Sequence, residues 1–165
     1  MQEDFFKIFV EQLRDGQIQA ISEQFTSDFL EVCEEDLSFQ DDVEVSGKAY
    51  LADDDLILQF DIETQAVLPC SICNVPVKVD VRVLHFYHVV PLSEVKSGIY
   101  NFKEILREAI LLETPRFVEC NQGKCPQRPE LSVYLKKDSD KGTSEYHPFA
   151  DLDKDIINKN DQNDQ

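Results

Sequence analysis

The sequence predicts an α+β fold, in which an antiparallel sheet of hairpins carries helices on one of its faces. Hydrophobic and polar residues alternate through much of residues 43–83, which is the pattern of half-buried strands. An apolar stripe with helical spacing follows at residues 102–112. The length of 165 residues suits one domain with its own core, plus a tail.

Residues 1–42 predict a strand or a helix, followed by a second helix. Phe5, Ile8 and Phe9 begin an apolar segment that fits either element, and Asp15-Gly16 interrupts it. Beyond this break, apolar residues recur at steps of three and four, as they do on one face of a helix. These residues are Ile18, Ile21, Phe25, Phe29 and Val32.

Residues 43–83 predict three antiparallel strands joined by short turns. The first strand begins at Val43 and ends at the turn formed by residues 53–55. The second strand runs back as far as Leu68, and Pro69 and Cys70 open a tight turn. The third begins at Pro76, where valines at every second position alternate strictly with polar residues.

A helix is predicted after Ser97-Gly98. Asn101 is suited to cap its N-terminus, and Glu104 stands where a capping box needs an acidic residue. Thr114-Pro115 ends the helix, because the residue before a proline is pushed out of helical geometry. The stripe predicted to face the sheet consists of Phe102, Ile105, Leu106, Ala109, Ile110 and Leu112.

Residues 1–137 are expected to form the single domain, with its hairpins, cysteines and helix in residues 43–137. Residues 138–165 are polar and acidic, and we expect a largely disordered tail, because such a segment buries too little apolar surface to fold alone. One apolar island, HPFADL, interrupts this tail. Its Pro148, Phe149 and Leu152 are predicted to dock onto the domain or onto a partner.

The net charge of −17 is distributed unevenly along the chain. Residues 1–63 hold 18 acidic and 3 basic residues, residues 64–137 hold 7 and 10, and residues 138–165 hold 8 and 3. This charge disfavours a broad surface that tracks phosphates, since such surfaces depend on many Lys and Arg contacts. If RNA or a partner binds the basic middle, the candidate contacts are Lys78, Arg82, Arg107, Arg116, Lys124 and Arg128. The alternative interpretation of these residues is scattered surface charge without a binding role. For the acidic residues 1–63 and 138–165, the alternative is a solvated surface that only aids solubility.

Four of the five cysteines form two close pairs. Cys70 and Cys73 make a C-x-x-C at a turn between strands, and Cys120 and Cys125 make a C-x4-C after the helix. Two such pairs separated by a long insert predict a structural Cys₄ zinc site. Metal-free structural thiols, chance spacing and a thioredoxin-like redox pair are the alternatives, although a redox C-x-x-C normally opens a helix. The fifth cysteine, Cys33, is unpaired and receives no function.

No catalytic constellation is recognisable, and we expect a protein that is not an enzyme and has no small-molecule substrate. His85 and His88 resemble a metal pair, but their odd spacing on a strand points them to opposite faces. His85 then falls with the valines and is predicted to be a core histidine. No apolar run approaches the roughly 18 residues of a membrane span, and the N-terminal residues lack the features of a secretory signal. A reducing, cytoplasmic compartment without membrane contact is therefore expected.

The motifs LPCSICNVPVKV, NFKEILREAILLETPRFVEC, GKCP and HPFADL, in this order, resemble the YceD family. The resemblance covers residues 43–155 and depends on the order and spacing of the motifs rather than on any one of them. The chain departs from the family at Ile72, where an arginine is usual, and at His147, where asparagine or aspartate is common. The positions that match in the helix and the tail are Ile105, Glu108, Ile110, Leu111, Leu112, Pro115, Pro148, Phe149, Ala150 and Leu152.

The resemblance implies a ribosome biogenesis factor that supports accumulation or processing of the large-subunit (23S) ribosomal RNA. Its partners would be that RNA, a basic large-subunit ribosomal protein, or both. The charge favours a variant of this function, an acidic adaptor or chaperone for the basic protein, because opposite charges speed association. A thiol oxidoreductase that uses Cys70 and Cys73 is the alternative from another functional class.

Overall fold

The computed structural model describes residues 5–131, Val133 and Tyr134, and the chain separates into two units, residues 1–128 and 129–165. The α+β class is confirmed. The strands are β1 (Lys7–Phe9), β2 (Ile18–Phe25), β3 (Ser38–Phe39), β4 (Val43–Ala52), β5 (Asp55–Pro69), β6 (Pro76–Pro91) and β7 (Ile99–Asn101). The helices are α1 (Lys103–Glu113), α2 (Cys120–Gly123) and α3 (Arg128–Leu131), and 3₁₀ turns span Val10–Gly16, Ser27–Leu30, Leu92–Glu94 and Lys96–Gly98.

The predicted docking residues Pro148, Phe149 and Leu152 lie outside the described residues. In the second unit, the N–H of Tyr134 donates to the carbonyl of Leu131 at 2.9 Å, which closes a turn after α3. Among the described residues, no helix is long and apolar enough to cross a membrane.

A five-stranded antiparallel sheet forms the centre of the first unit. Its long strand β5 pairs with β4 and β3 along one edge and with β6 along the other, and β2 pairs with β4. The three hairpin strands predicted from residues 43–83 are confirmed as β4, β5 and β6. A separate two-stranded sheet joins β1 to β7.

The core lies on one face of this sheet, beneath α1. Every second side chain of β5 is buried there, from Leu56 to Leu68, as the alternation of that strand requires. Leu106 and Ile110 of α1 are completely buried against the same face. Five phenylalanines fill the space between the helix and the sheet, with neighbouring ring centroids 4.1–6.4 Å apart. They are Phe6, Phe25, Phe29, Phe60 and Phe102.

The helix predicted from the spacing of Ile18, Ile21 and Phe25 is wrong, because these residues form strand β2. Ile21 and Phe25 are both buried, and a spacing of four places two residues on the same side of a strand as well as of a helix. Pairing with β4 over eight residues decides between the two, since it supplies the backbone hydrogen bonds of a ladder. Ile18 points away from the core and is 61% exposed.

The prediction of a core histidine at His85 is also wrong, because β6 contains a bulge. Phe60 pairs with Phe86 and Ile62 with Val83, so β6 holds one extra residue between these pairs. His85 adopts a left-handed φ of 58°, and its side chain is 93% exposed. Beyond the bulge the inward positions shift by one residue. The half-buried His88 therefore turns inward, and its Nε2 lies 3.3 Å from the hydroxyl of Tyr100.

The predicted end of the helix is confirmed at α1, whereas the N-cap is Phe102, one residue later than predicted. Asn101 is the last residue of β7, and its Oδ1 accepts a hydrogen bond from the N–H of Lys103 at 2.9 Å. The helix ends at Glu113, and Thr114 bonds back to the carbonyl of Ile110. Leu112 departs from the predicted stripe and is 79% exposed, because α1 buries a narrower face than the stripe suggests.

Candidate metal centre

The first cysteine pair lies in the turn that joins β5 to β6. The N–H of Cys70 donates to the carbonyl of Val75 at 2.8 Å, and the N–H of Asn74 donates to the carbonyl of Cys70 at 2.9 Å. Asn74 has a left-handed φ of 60°, which asparagine tolerates better than most residues do. Because the flanking strands are paired as far as Pro69 and Pro76, the sheet itself holds both ends of this turn.

The second pair is brought to the first by the segment that follows α1. Cys70 and Val118 form an isolated parallel bridge, and the N–H of Ser71 donates to the carbonyl of Val118 at 2.8 Å. This bridge aims the N–H of Cys120 at the Sγ of Cys70, 3.3 Å away.

Three successive left-handed residues then reverse the chain within α2. Asn121 and Gln122 have φ values of 54° and 53°, and Gly123 has a φ of 83°. The side-chain amide of Asn121 donates to the carbonyl of Lys124 at 3.2 Å, which closes the reversal. The turn brings Cys125 back to the cluster, and Gly123 adopts the left-handed conformation at the lowest cost.

The four predicted ligands converge on one point. The Sγ atoms of Cys70, Cys73, Cys120 and Cys125 all lie within 4.8 Å of one another. Those of Cys73 and Cys120 are 3.7 Å apart. Cys70 and Cys125 are buried, whereas Cys73 and Cys120 are half-buried, so the cluster opens to solvent on one side.

This arrangement fits a tetrahedral metal ion. Zinc–thiolate bonds of about 2.3 Å require sulfur–sulfur separations of about 3.8 Å, which the Cys73–Cys120 pair already has. The remaining sulfur–sulfur separations are at most 4.8 Å. Four thiolates select soft or borderline metals, and a site with four protein ligands leaves no position for a substrate. The cluster can therefore hold a metal ion in a structural role.

The surroundings of the cluster shift the pKa values of its thiols in opposite directions. Backbone N–H groups of Cys120 and Cys73 directed at Cys70 lower the pKa of its thiol to about 6. Burial, together with the neighbouring cysteine thiols, raises the pKa of Cys120 to about 12. Burial also raises the pKa of Cys125. Four thiolates repel one another at this distance, and a dication held by the four cysteines would supply the compensating charge.

A carboxylate that sequence reasoning missed supports the second pair. The Oε1 of Glu119 accepts the N–H of Cys125 at 3.1 Å and the Nε of Arg128 at 2.8 Å. The guanidinium of Arg128 lowers the pKa of Glu119 to about 2 and keeps the carboxylate charged. A hydrogen bond to the backbone of Cys125 helps to fix the position from which its sulfur reaches the cluster. The only available signal was the position of Glu119 directly before Cys120, which by itself predicts nothing.

The six cations predicted to contact RNA or a partner do not form one patch along the chain. Lys78 and Arg82 are on β6, where Lys78 pairs with Asp41 at 3.5 Å and Arg82 lies 3.8 Å from the carboxylate of Glu63. Arg107 lies on α1 and donates to the carbonyl of Leu30 at 2.7 Å, and Arg128 is engaged by Glu119. Arg116 and Lys124 are exposed between α1 and α3. Four of the six cations therefore already have an acceptor within the fold.

Comparison with known proteins gives no further guide to the family. No protein-family model, curated protein or solved structure matches the chain.

Proposed function

We propose that the chain is a non-catalytic binding factor that supports accumulation of large-subunit ribosomal RNA, with a structural zinc ion held by its four clustered cysteines. The observation that carries this proposal is the four-cysteine centre, which ties the β5–β6 hairpin to the segment after α1. The same cysteines, in the same order around a helix, carry the resemblance to the YceD family. A cytoplasmic location is part of the proposal, because reduced thiols suit a reducing compartment.

Binding through a basic protein partner is favoured over direct RNA contact. Lys78 and Arg128 are paired with carboxylates, and Arg107 is used within the fold. With a net charge of −17, the chain repels phosphate at long range. The favoured mode is therefore an acidic adaptor for a basic large-subunit ribosomal protein, within the same pathway.

The oxidoreductase alternative receives less support from the surroundings of Cys70 and Cys73. This C-x-x-C lies in a hairpin turn, whereas redox pairs of the thioredoxin type open a helix. The thiols of Cys120 and Cys125 also stand within the same cluster, as a metal site requires.

The cellular role is tested by removing the chain from cells that contain it. We expect the ratio of large-subunit to small-subunit ribosomal RNA to fall and to recover when the wild-type gene is returned. Affinity purification at low salt should retain a basic ribosomal protein, lose it in high salt, and keep it after nuclease treatment. An unchanged RNA ratio would refute the pathway, and loss of the partner to nuclease would favour direct RNA binding.

The metal is tested by native mass spectrometry of protein purified under reducing conditions. We expect about one zinc per chain, since four thiolates form a complete tetrahedral set. The Cys125→Ser variant should lose the metal, whereas Cys33→Ser should keep it, because Cys33 is exposed and outside the cluster. A stably folded wild-type protein without metal would contradict the zinc assignment.

A further inference from the structure

The side of the sheet that points away from the core is shaped as an open groove. We call it the outer face, and it carries Glu44, Lys48, Tyr50, Asp61, Glu63 and Tyr87. Two grooves of about 530 and 460 Å³ lie on it, and residues of β2, β4, β5 and β6 form all of their walls. The two grooves share Ser46 and Asp61, so they are continuous with each other.

One end of the outer face is apolar and aromatic. Ile18 is 61% exposed, Tyr87 is 56% exposed and Val89 is 41% exposed. Tyr50 lies beside them, since it pairs with Ile18 across β2 and β4. The Nζ of Lys48 stands 5.6 Å from the centroid of the Tyr50 ring, so an aromatic ring on this face already accepts a cation.

The other end of the outer face is acidic. Glu44 and Glu63 are direct partners on neighbouring strands, and like charges in this position destabilise a sheet. Asp61 lies between them and the aromatic end, on the wall that the two grooves share. Among the residues that the structure describes, Glu44 has no ion-pair partner. Arg82 lies 3.8 Å from the carboxylate of Glu63, and both side chains are more than half exposed, which leaves this contact open to competition.

We propose that the outer face binds an extended, arginine- and lysine-rich segment of a protein partner. The basic side chains contact Glu44, Asp61 and Glu63, and an adjoining apolar side chain packs on Tyr87. Glu44 and Tyr50 are six residues apart on β4, so the face is about 20 Å long at 3.3 Å per residue. An extended segment of about six residues spans that length.

Charge complementarity identifies the occupant. Carboxylates that face each other across strands repel phosphate, so a nucleic acid is disfavoured, while guanidinium groups bind carboxylates in a fork. A bound cation would also relieve the repulsion between Glu44 and Glu63. The inference rests on the proposed adaptor function for the identity of the partner, but its test in solution does not use the cellular pathway.

The test is fluorescence anisotropy of the full chain with a labelled synthetic peptide, in which a run of arginines precedes Leu-Phe. At low salt we expect saturable binding that a peptide with glutamine in place of arginine does not reproduce. The double variant Glu44→Gln/Glu63→Gln should raise Kd about tenfold. The matched control Glu34→Gln/Glu35→Gln removes the same charge from exposed residues outside the face and should change Kd less than about twofold.

The apolar end is tested separately. Tyr87→Ala should weaken binding of the same peptide severalfold, whereas Phe117→Ala should not, although Phe117 is 82% exposed. Circular dichroism of every variant checks the fold, and Glu44→Gln/Glu63→Gln should melt no lower than wild type, because it removes a repulsion.

Several results would overturn the inference. If both glutamine double variants lost the same affinity for the peptide, the binding would depend on the long-range charge of the protein and not on the outer face. If the wild-type protein associates with itself and the outer-face variants do not, the outer face binds a second copy of the chain. If the peptide does not bind but the ratio of large-subunit to small-subunit ribosomal RNA still falls in deleted cells, the peptide site on the outer face is refuted. The proposed function then remains intact.

Discussion

Replacing Gly47 with alanine tests how closely β4 and β5 approach each other. Gly47 pairs with Phe60 on the core side of the sheet. A Cβ at this position would lie 2.0 Å from the carbonyl oxygen of Gln59, 2.9 Å from the Cα of Phe60 and 2.9 Å from the Phe60 ring. Ordinary contacts between carbon atoms are about 3.5–4.0 Å, so strand β5 must move to admit the methyl group.

Two effects of opposite sign contribute to this variant. Alanine restricts the unfolded chain and by itself would stabilise the protein by about 0.4–1 kcal/mol. Overpacking costs about 1–3 kcal/mol, and here the atoms that must move are mainly backbone. Strand β6 holds β5 along its other edge, so β5 cannot simply retreat. We therefore expect Gly47→Ala to lower the free energy of unfolding by about 1–2 kcal/mol.

Thermal denaturation followed by circular dichroism measures this effect. A loss of 1–2 kcal/mol corresponds to a fall in Tm of about 2–8 °C for a chain of this size. Ser46→Ala is the matched control, because Ser46 is exposed on the opposite face of the same strand, and it should change stability by less than about 0.5 kcal/mol. A Gly47→Ala protein that melts at or above the wild-type temperature would refute the close approach.

Three further predictions concern the helix, the bulge and one ion pair. Leu106→Ala should cost about 2–5 kcal/mol in urea denaturation and Leu112→Ala less than about 0.5 kcal/mol, and equal costs would contradict the placement of α1. His85→Val should lower stability by about 1 kcal/mol, because a β-branched residue tolerates the left-handed φ less well than histidine, whereas His85→Gly should not lower Tm; the reverse order would argue against the bulge. Lys103 donates to Glu31 at 2.9 Å and lowers the pKa of that carboxyl below 4.5. This pair therefore stabilises the fold fully above pH 4.5 and loses its effect as pH falls through the lowered pKa. Glu31→Gln should reduce the pH dependence of unfolding below pH 4.5, and an unchanged dependence would exclude the pair.

The local sequence pattern predicts an element correctly wherever a single hydrophobic period or a single residue type determines the backbone conformation. The alternation of residues 43–83 predicts β4, β5 and β6, because side chains of a strand alternate between two faces. Thr114-Pro115 predicts the end of α1, because proline restricts the residue before it, and Asn101 predicts the start to within one residue. Cysteine spacing predicts the metal centre, since each pair needs only a tight turn to present two sulfurs.

Local pattern failed where two periods coincide or where pairing is interrupted. Ile21 and Phe25, four residues apart, fit a helix as well as they fit β2, and only the ladder with β4 separates the two. The bulge opposite Asp61 reverses the faces of β6 beyond it. No alternation in the sequence marks that reversal, so the pattern predicts the wrong face for His85.

The four-cysteine cluster shows the same division between local and long-range information. The sequence by itself determined which four cysteines belong to it, because their chemistry and spacing are local properties. Only the tertiary structure decided that the Val118 bridge brings Cys120 to Cys70, that Glu119 supports Cys125, and that Arg128 is engaged by Glu119. These contacts join elements whose relative position is set by strand pairing and core burial. Both are long-range interactions, which the identity of neighbouring residues along the chain does not encode.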